Sequence, residues 1–271
     1  MNTKPITILT LLLVAASHSF GAYTDNTLFY GHADIGVAFG HHEEEGGVHH
    51  EEEEGEEHGE EFHLHVHAHD YGPAAVVNGV TLTSDAEYDA GDVTIRVPLA
   101  TKATAPDNSA FNTATGAATG SDIWILPQGN QAGVPFLGIG TEELAASDWG
   151  DITFSLGTVT APTANGVFSI YQGDGFGGFN FYFSSAGESL TVNGNNTILA
   201  AAGVHDHYNY AFSESGTWLI ELTASGTHNT EGTFSDTQTF AFNVVPEPST
   251  YALLLGLGAL GLSLIRRRAR K

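Results

Sequence analysis

The sequence predicts an all-β fold, an antiparallel β-sandwich, and three observations carry that expectation. Short runs rich in Val, Ile, Thr, Phe and Tyr recur along the body, separated by Gly, Asn, Asp and Pro. Side chains alternate as a half-buried strand requires in Tyr208, Tyr210, Phe212 and again in Phe240, Phe242, Val244. No amphipathic helical stretch runs longer than a couple of turns.

Residues 1–22 hold a single basic residue, Lys4, an apolar run from Ile6 to Ala16, and small residues at Ser17, Ser19, Gly21 and Ala22. That order is a secretory signal, too short to span a membrane. The body, residues 23–245, follows as one surface domain. Strands are expected at Leu28–Phe39, Phe62–His69, Val93–Leu99, Ile123–Leu126, Ile152–Leu156, Val167–Tyr171, Phe179–Phe183, Tyr208–Phe212, Trp218–Thr223 and Thr239–Val244. The best helix candidate is Thr141–Trp149, with Thr141 as its cap. Thr101–Gly120 and the glycine-rich Gly173–Gly178 read as loops.

The insert 41–61 stands apart. It holds eleven Glu, the five histidines His41, His42, His49, His50 and His58, four Gly and Val48. So many like charges cannot pack together, so the segment is expected to be a disordered, solvated loop between two strands. Its interleaved imidazoles make it a weak, multivalent antenna for metal ions rather than a plain acidic spacer.

The last segment, 246–271, opens on Pro246-Glu247-Pro248, continues through 15 apolar or small residues (Tyr251–Ile265), expected as a short hydrophobic helix, and ends on Arg266, Arg267, Arg268, Arg270 and Lys271. The breaker, hydrophobic run and basic stop occur in the order of a tail held at the cytoplasmic side of a membrane. The three parts closely resemble the PEP-CTERM sorting signal of Gram-negative bacteria. That resemblance implies an exosortase-type enzyme as partner, transient anchoring in the inner membrane, removal of the tail, and delivery to the outer surface or extracellular matrix. Membrane contact is then confined to the C-terminal segment before processing.

The formal charge of the 271 residues is −24, but residues 22–245 hold 31 acids against only Arg96 and Lys102, a net of −29. Such a body repels phosphate backbones and anionic headgroups, which excludes nucleic acid as a partner and leaves cations as the natural ones. With no cysteine, disulfides, thiolate metal sites and cysteine nucleophiles are all excluded. A metal ion must be held by nitrogen and oxygen.

The nitrogen donors are at hand in Phe62-His63-Leu64-His65-Val66-His67-Ala68-His69. On a strand, His63, His65, His67 and His69 share one face, with successive Cα atoms roughly 6.5–7 Å apart, near enough for two imidazoles to converge on one ion at about 2.1 Å. A second pair, His205-Asp206-His207, precedes the Tyr208–Phe212 strand, and His32-Ala33-Asp34 offers nitrogen and oxygen at the same spacing. These pairs predict a mononuclear site drawing three or four ligands from His32, His65, His67, His205 and His207, with Asp34, His63 and His69 as weaker contributors. Zinc is the first candidate; manganese and copper also suit the donors. His228 reads as an ordinary satisfied histidine. Asp85, Glu87, Asp89 and Asp92 around Gly91 partly match a calcium loop, but without its terminal bidentate Glu they read as a solvated turn.

The series Gly31-His32-Ala33-Asp34-Ile35, Leu64-His65-Val66-His67, Asp122-Ile123-Trp124-Ile125-Leu126-Pro127-Gln128, Leu137-Gly138-Ile139-Gly140-Thr141-Glu142-Glu143 and Val204-His205-Asp206-His207-Tyr208-Asn209-Tyr210-Ala211-Phe212 resembles the bacterial choice-of-anchor M domain over about residues 28–224. His32, His65, His67, His205 and His207 fall on its motif positions. The resemblance implies a surface protein linked to metal handling, with a metal-type ABC transporter as a partner. His63, His69 and the 41–61 insert lie outside it.

Three function classes follow: an exported metal-capture protein, a structural or adhesive matrix protein, and a copper/zinc metalloenzyme. The first is favoured. No complete catalytic motif is present: there is no Gly-x-Ser-x-Gly elbow, no His-Glu-x-x-His helix and no phosphate loop.

Overall fold

The computed structural model describes residues 26–40, 61–187 and 196–246. In chain order the strands are β1 (Asn26–Gly40), β2 (Glu61–Ala68), β3 (Val76–Val77), β4 (Val80–Thr81), β5 (Ala86–Asp89), β6 (Val93–Val97), β7 (Lys102–Thr104), β8 (Asp122–Leu126), β9 (Pro135–Gly140), β10 (Ile152–Thr160), β11 (Phe168–Gly173), β12 (Phe179–Ser184), β13 (Thr197–Ala200), β14 (His205–His207), β15 (Asn209–Phe212), β16 (Gly216–His228) and β17 (Gly232–Val244). One helix, α1 (Ser109–Thr115), lies between β7 and β8. The all-β expectation holds in this form: strands in two sheets, with one short helix among the described residues.

The larger sheet runs β13-β10-β16-β17-β6-β1-β2-β5, with β9 and β14 attached beside β1 and the β3–β4 pair also on β1; the smaller runs β12-β11-β15-β8-β7. Period-2 burial builds the larger sheet. On β16, Trp218, Ile220, Leu222 and Ala224 are buried while the residues between them are partly exposed. Both sheets contribute to one apolar cluster, in which Phe242 of β17 packs on Phe212 of β15 and Phe168 of β11 with ring centroids 5.3 and 6.3 Å apart.

β1 organises the larger sheet. At Leu28 it pairs with β6 and β3, and from Ala33 to Gly36 it pairs with β2 and β9. Between these two zones Gly31 adopts φ +100, and a Cβ there would overlap the backbone of Ala74 and Ala75, so only glycine allows the bend. Past the bend, Gly31 to Val37 are all buried. Ala33, Ile35 and Val37 enter the core, whereas His32, Asp34 and Gly36 lie buried on the other face.

Three expectations need correction. Thr141–Trp149 forms turns, not a helix. The Thr141 side chain is engaged across the fold: its hydroxyl lies 2.6 Å from the Ala201 carbonyl and 2.9 Å from the Val204 carbonyl, so it does not cap a helix. The loop expected over Thr101–Gly120 contains α1, whose N-terminus is capped by the Asn108 side chain accepting from the Phe111 N–H at 3.0 Å and whose end is Gly116 in the left-handed region. With only Phe111, Ala114 and Thr115 buried, this helix is too short for a periodic pattern to show. Glu61, placed in the insert, is the first residue of β2 and pairs with Gly40. The signal segment, residues 41–60 with their five histidines, and the hydrophobic tail lie outside the described residues.

Phe242 is 1% exposed and touches both sheets, whereas Phe176 at the β11–β12 turn is 99% exposed. Phe242→Ala is expected to cost about 3–5 kcal/mol in denaturant unfolding, and Phe176→Ala under about 0.5 kcal/mol. Comparable losses would contradict the shared core.

Candidate metal centre

Strand register assembles the site. Across the face of the larger sheet opposite its core, one row runs His205, Gly140, Gly36, His65, Asp89, and the next runs His207, Gly138, Asp34, His67, Glu87. A third row places Phe136 beside His32, and the His69 N–H donates to the His32 carbonyl at 3.0 Å, so His69 continues it. His63 faces Ala38 one row beyond His65. Seven imidazoles thus stand on one face.

Glycine leaves room for them. A Cβ at Gly138 would overlap Asp34 Oδ1, one at Gly140 would come within 3.2 Å of Asp34 Cβ, and one at Gly36 within 3.4 Å of His65 Nε2. Gly36, Gly138 and Gly140 therefore form the floor of a trough in which the Asp34 carboxylate stands.

Asp34 is 1% exposed, and its Oδ2 accepts from His69 Nε2 at 2.8 Å. Its Oδ1 has no hydrogen-bond partner. His32, 3% exposed, stacks on His69 at 4.2 Å between centroids and lies 5.4 and 5.0 Å from the rings of His205 and His207. Neither His32 ring nitrogen has a hydrogen-bond partner. His207 in turn stacks on Phe136 at 3.5 Å, which fixes its plane. Burial pushes the His32 imidazole down to about 4, against the pull of Asp34 and with help from its neighbouring histidines, so near neutral pH it is uncharged with a free lone pair. Burial lowers His207 as well. For His69 burial acts in the same sense, but the hydrogen bond and charge of Asp34, with Asp85 and Glu142, outweigh it and raise the ring.

Carboxylates from two other segments close over the imidazoles. Glu142 Oε1 lies 2.6 Å from His205 Nδ1, and Glu143 Oε2 lies 2.9 Å from His65 Nε2. Glu143 Oε1 is 3.4 Å from His67 Nδ1, and Asp85 Oδ2 is 3.5 Å from His67 Nε2 and 3.6 Å from His69 Nδ1. Thr141 positions the two glutamates, since its hydroxyl holds the turn against the Ala201–Val204 segment leading into β14.

Several triads bring their donor atoms within 4.8 Å of one another: His32, His205 and His207; His32, Asp34 and His69; His65, His67 and Glu143; His63, His65 and Glu87; His67, His69 and Asp85. Nitrogen and carboxylate donors at this spacing suit zinc, nickel, copper or manganese. The residues named from sequence therefore fall into two neighbouring groups: His32 with His205 and His207, and His65 with His67. His69 and Asp34 stand between these groups at the centre of the array rather than at its margin. Glu142, Glu143, Glu87 and Asp85 were not read as ligands. The signal in the sequence is the period-2 placement of Asp85, Glu87 and Asp89: where a solvated turn is expected, Ala86–Asp89 forms β5 against the histidine strand, and the turn is confined to residues 90–92. His228 lies elsewhere, stacked on Phe39 at 5.4 Å.

Residues 244–270 match the PEP-CTERM protein-sorting motif. The chain carries an export and sorting signal. Motifs of this kind are recognised by exosortase, and the signal directs a bacterial protein to the cell envelope or surface. No curated protein and no solved structure matches the chain. Among the described residues no helix is long and apolar enough to cross a membrane.

The depressed His32 ring gives the metal-free protein a defined pH response. The folded state resists a proton that the unfolded chain accepts, so the stabilisation is complete above pH 6.5 and is lost as pH falls from 6.5 toward about 4. Thermal melts across that window are expected to fall in midpoint, and His32→Gln to flatten the fall. A His32→Gln profile as steep as that of the unaltered protein would contradict the assignment.

Proposed function

We propose that this protein is an exported, surface-associated metal-binding protein that captures a divalent transition ion, zinc before manganese or copper, on its imidazole and carboxylate face. The observation that carries this reading is the pair His32 and Asp34. Both are almost fully buried, both His32 ring nitrogens and Asp34 Oδ1 lack hydrogen-bond partners, and glycine floors the space around the carboxylate. An unpartnered buried polar group costs about 1–3 kcal/mol, and several side by side need a ligand that accepts many donors at once, as a cation does.

The size of the space supports an ion over an organic substrate. The recess lined by Asp34, Gly36, Val37, His67, Gly140, Glu142 and Glu143 is about 10 Å³, room for about one water molecule. Binding, not catalysis, is the reading that fits such a recess. The resemblance to the choice-of-anchor M domain supports the same role, with a metal-type ABC transporter as a partner. The two sheets, which share one apolar cluster, are read as the layers of a β-sandwich. Exosortase processing in a Gram-negative envelope would leave this domain outside the cell.

Isothermal titration of the full-length processed protein with zinc is expected to show at least one tight site and a rise in melting temperature. Asp34→Asn, which preserves shape, is expected to weaken that site by about 10–100-fold. Less than one equivalent of zinc and no thermal shift would leave a structural or adhesive surface protein instead.

A further inference from the structure

We infer that the array holds two transition-metal ions, the second bound by His65, His67 and Glu143 at the end of the trough away from His205. This rests on the reading of the face as a metal site and adds to it a separate, second centre.

Ligand number is the first argument. One transition ion takes four to six donors. This face presents seven imidazoles and the carboxylates of Asp34, Asp85, Glu87, Glu142 and Glu143, so a single ion would leave at least half of them without a cation. The second argument is how the acids divide. Glu142 and Glu143 are consecutive, yet Glu142 reaches His205 while Glu143 reaches His65 and His67, one glutamate to each group. The recess lies between the two groups, touching Asp34 and Glu142 of the first and His67 and Glu143 of the second.

The donors of the second site are prepared for an ion in the same manner as the first. His65 is 1% exposed, and its Nδ1 has no hydrogen-bond partner. Its other nitrogen faces Glu143, and its ring lies 6.0 Å from that of His67 and 5.1 Å from that of His63. Donor atoms of His65, His67 and Glu143 already lie within 4.8 Å of one another, as do those of His63, His65 and Glu87. Glu87 lies near enough to Glu143 for the two carboxyl groups to interact. Two carboxyl groups placed together beside buried imidazoles repel each other when both are charged, and a bound cation relieves that repulsion. His69 and Asp85, grouped with His67, join this centre to the first one.

The test counts zinc per full-length processed chain by elemental analysis after dialysis against excess nitrilotriacetate, which strips weak sites. Glu143→Ala and His65→Ala are each expected to bind one ion fewer than the unaltered chain. Asp34→Asn is also expected to bind one fewer, and Asp34→Asn with Glu143→Ala two fewer. Glu143 is partly exposed, so its variant reads the site even where His65→Ala fails to fold. A Glu143→Ala chain with an unchanged count, or a double variant that loses no more than Asp34→Asn alone, overturns the second site and leaves the first standing. An unaltered chain that retains no zinc overturns both.

Discussion

The Asp34 carboxylate, buried on the polar face of the central strand and hydrogen-bonded to His69, is the interaction on which the site depends. Burying a carboxylate is unfavourable unless charge and hydrogen bonds meet it. Here one oxygen is met by an imidazole and the other is not met by any protein group. The strands on both sides accommodate the carboxylate by omission: Gly138 and Gly140 of β9 have no side chain where Asp34 needs room, and Gly36 does the same under His65. The trough, the imidazole rows and the recess all follow from a strand that carries apolar residues on one face and ligands on the other.

The rest of the fold holds that face rigid. Tyr210 of the smaller sheet, fully buried, donates its hydroxyl to the Gly138 carbonyl at 3.0 Å, which ties the floor of the trough to the sheet beneath it. Burial holds that phenol well above its usual range, so it stays a donor. The Thr141 turn delivers Glu142 and Glu143 from above, and Phe136 supports the His207 ring from the side. Each support is a core or turn contact, so the donors are placed before an ion arrives and little ordering is left for binding to drive.

Much of this was legible in the residues. Alternation along Phe62–His69 put four imidazoles on one face, and β2 bears it out as far as Ala68, with His69 just beyond its end; Asn209–Phe212 and Thr239–Val244 are strands as their patterns require, and Tyr208 falls just before β15. Pairing between strands was not legible, because register depends on contacts between segments far apart in sequence. That is why His69 and Asp34 were read as marginal: the position of each follows from β1 lying against β2, not from local spacing. Glu142 and Glu143 were hidden for another reason. Thr-Glu-Glu-Leu has the pattern of a helix start, but the Thr141 hydroxyl bonds to the chain 60 residues on, and a tertiary contact overrides local propensity. The helix α1 escaped notice because seven residues with one aromatic anchor carry no period.

In this account five acids of the body, Asp34, Asp85, Glu87, Glu142 and Glu143, converge with imidazoles on one face of one sheet. Gly40 and Glu61, which flank residues 41–60 in the sequence, pair with each other beyond His63 on β1 and β2. The most direct test of the central claim is anomalous diffraction at the zinc edge from crystals of the zinc-loaded protein. The account predicts a peak in the trough, about 2.1 Å from a His32 ring nitrogen and bonded to Asp34 Oδ1. Zinc peaks confined to other parts of the chain, with His32 and Asp34 unoccupied, would contradict it.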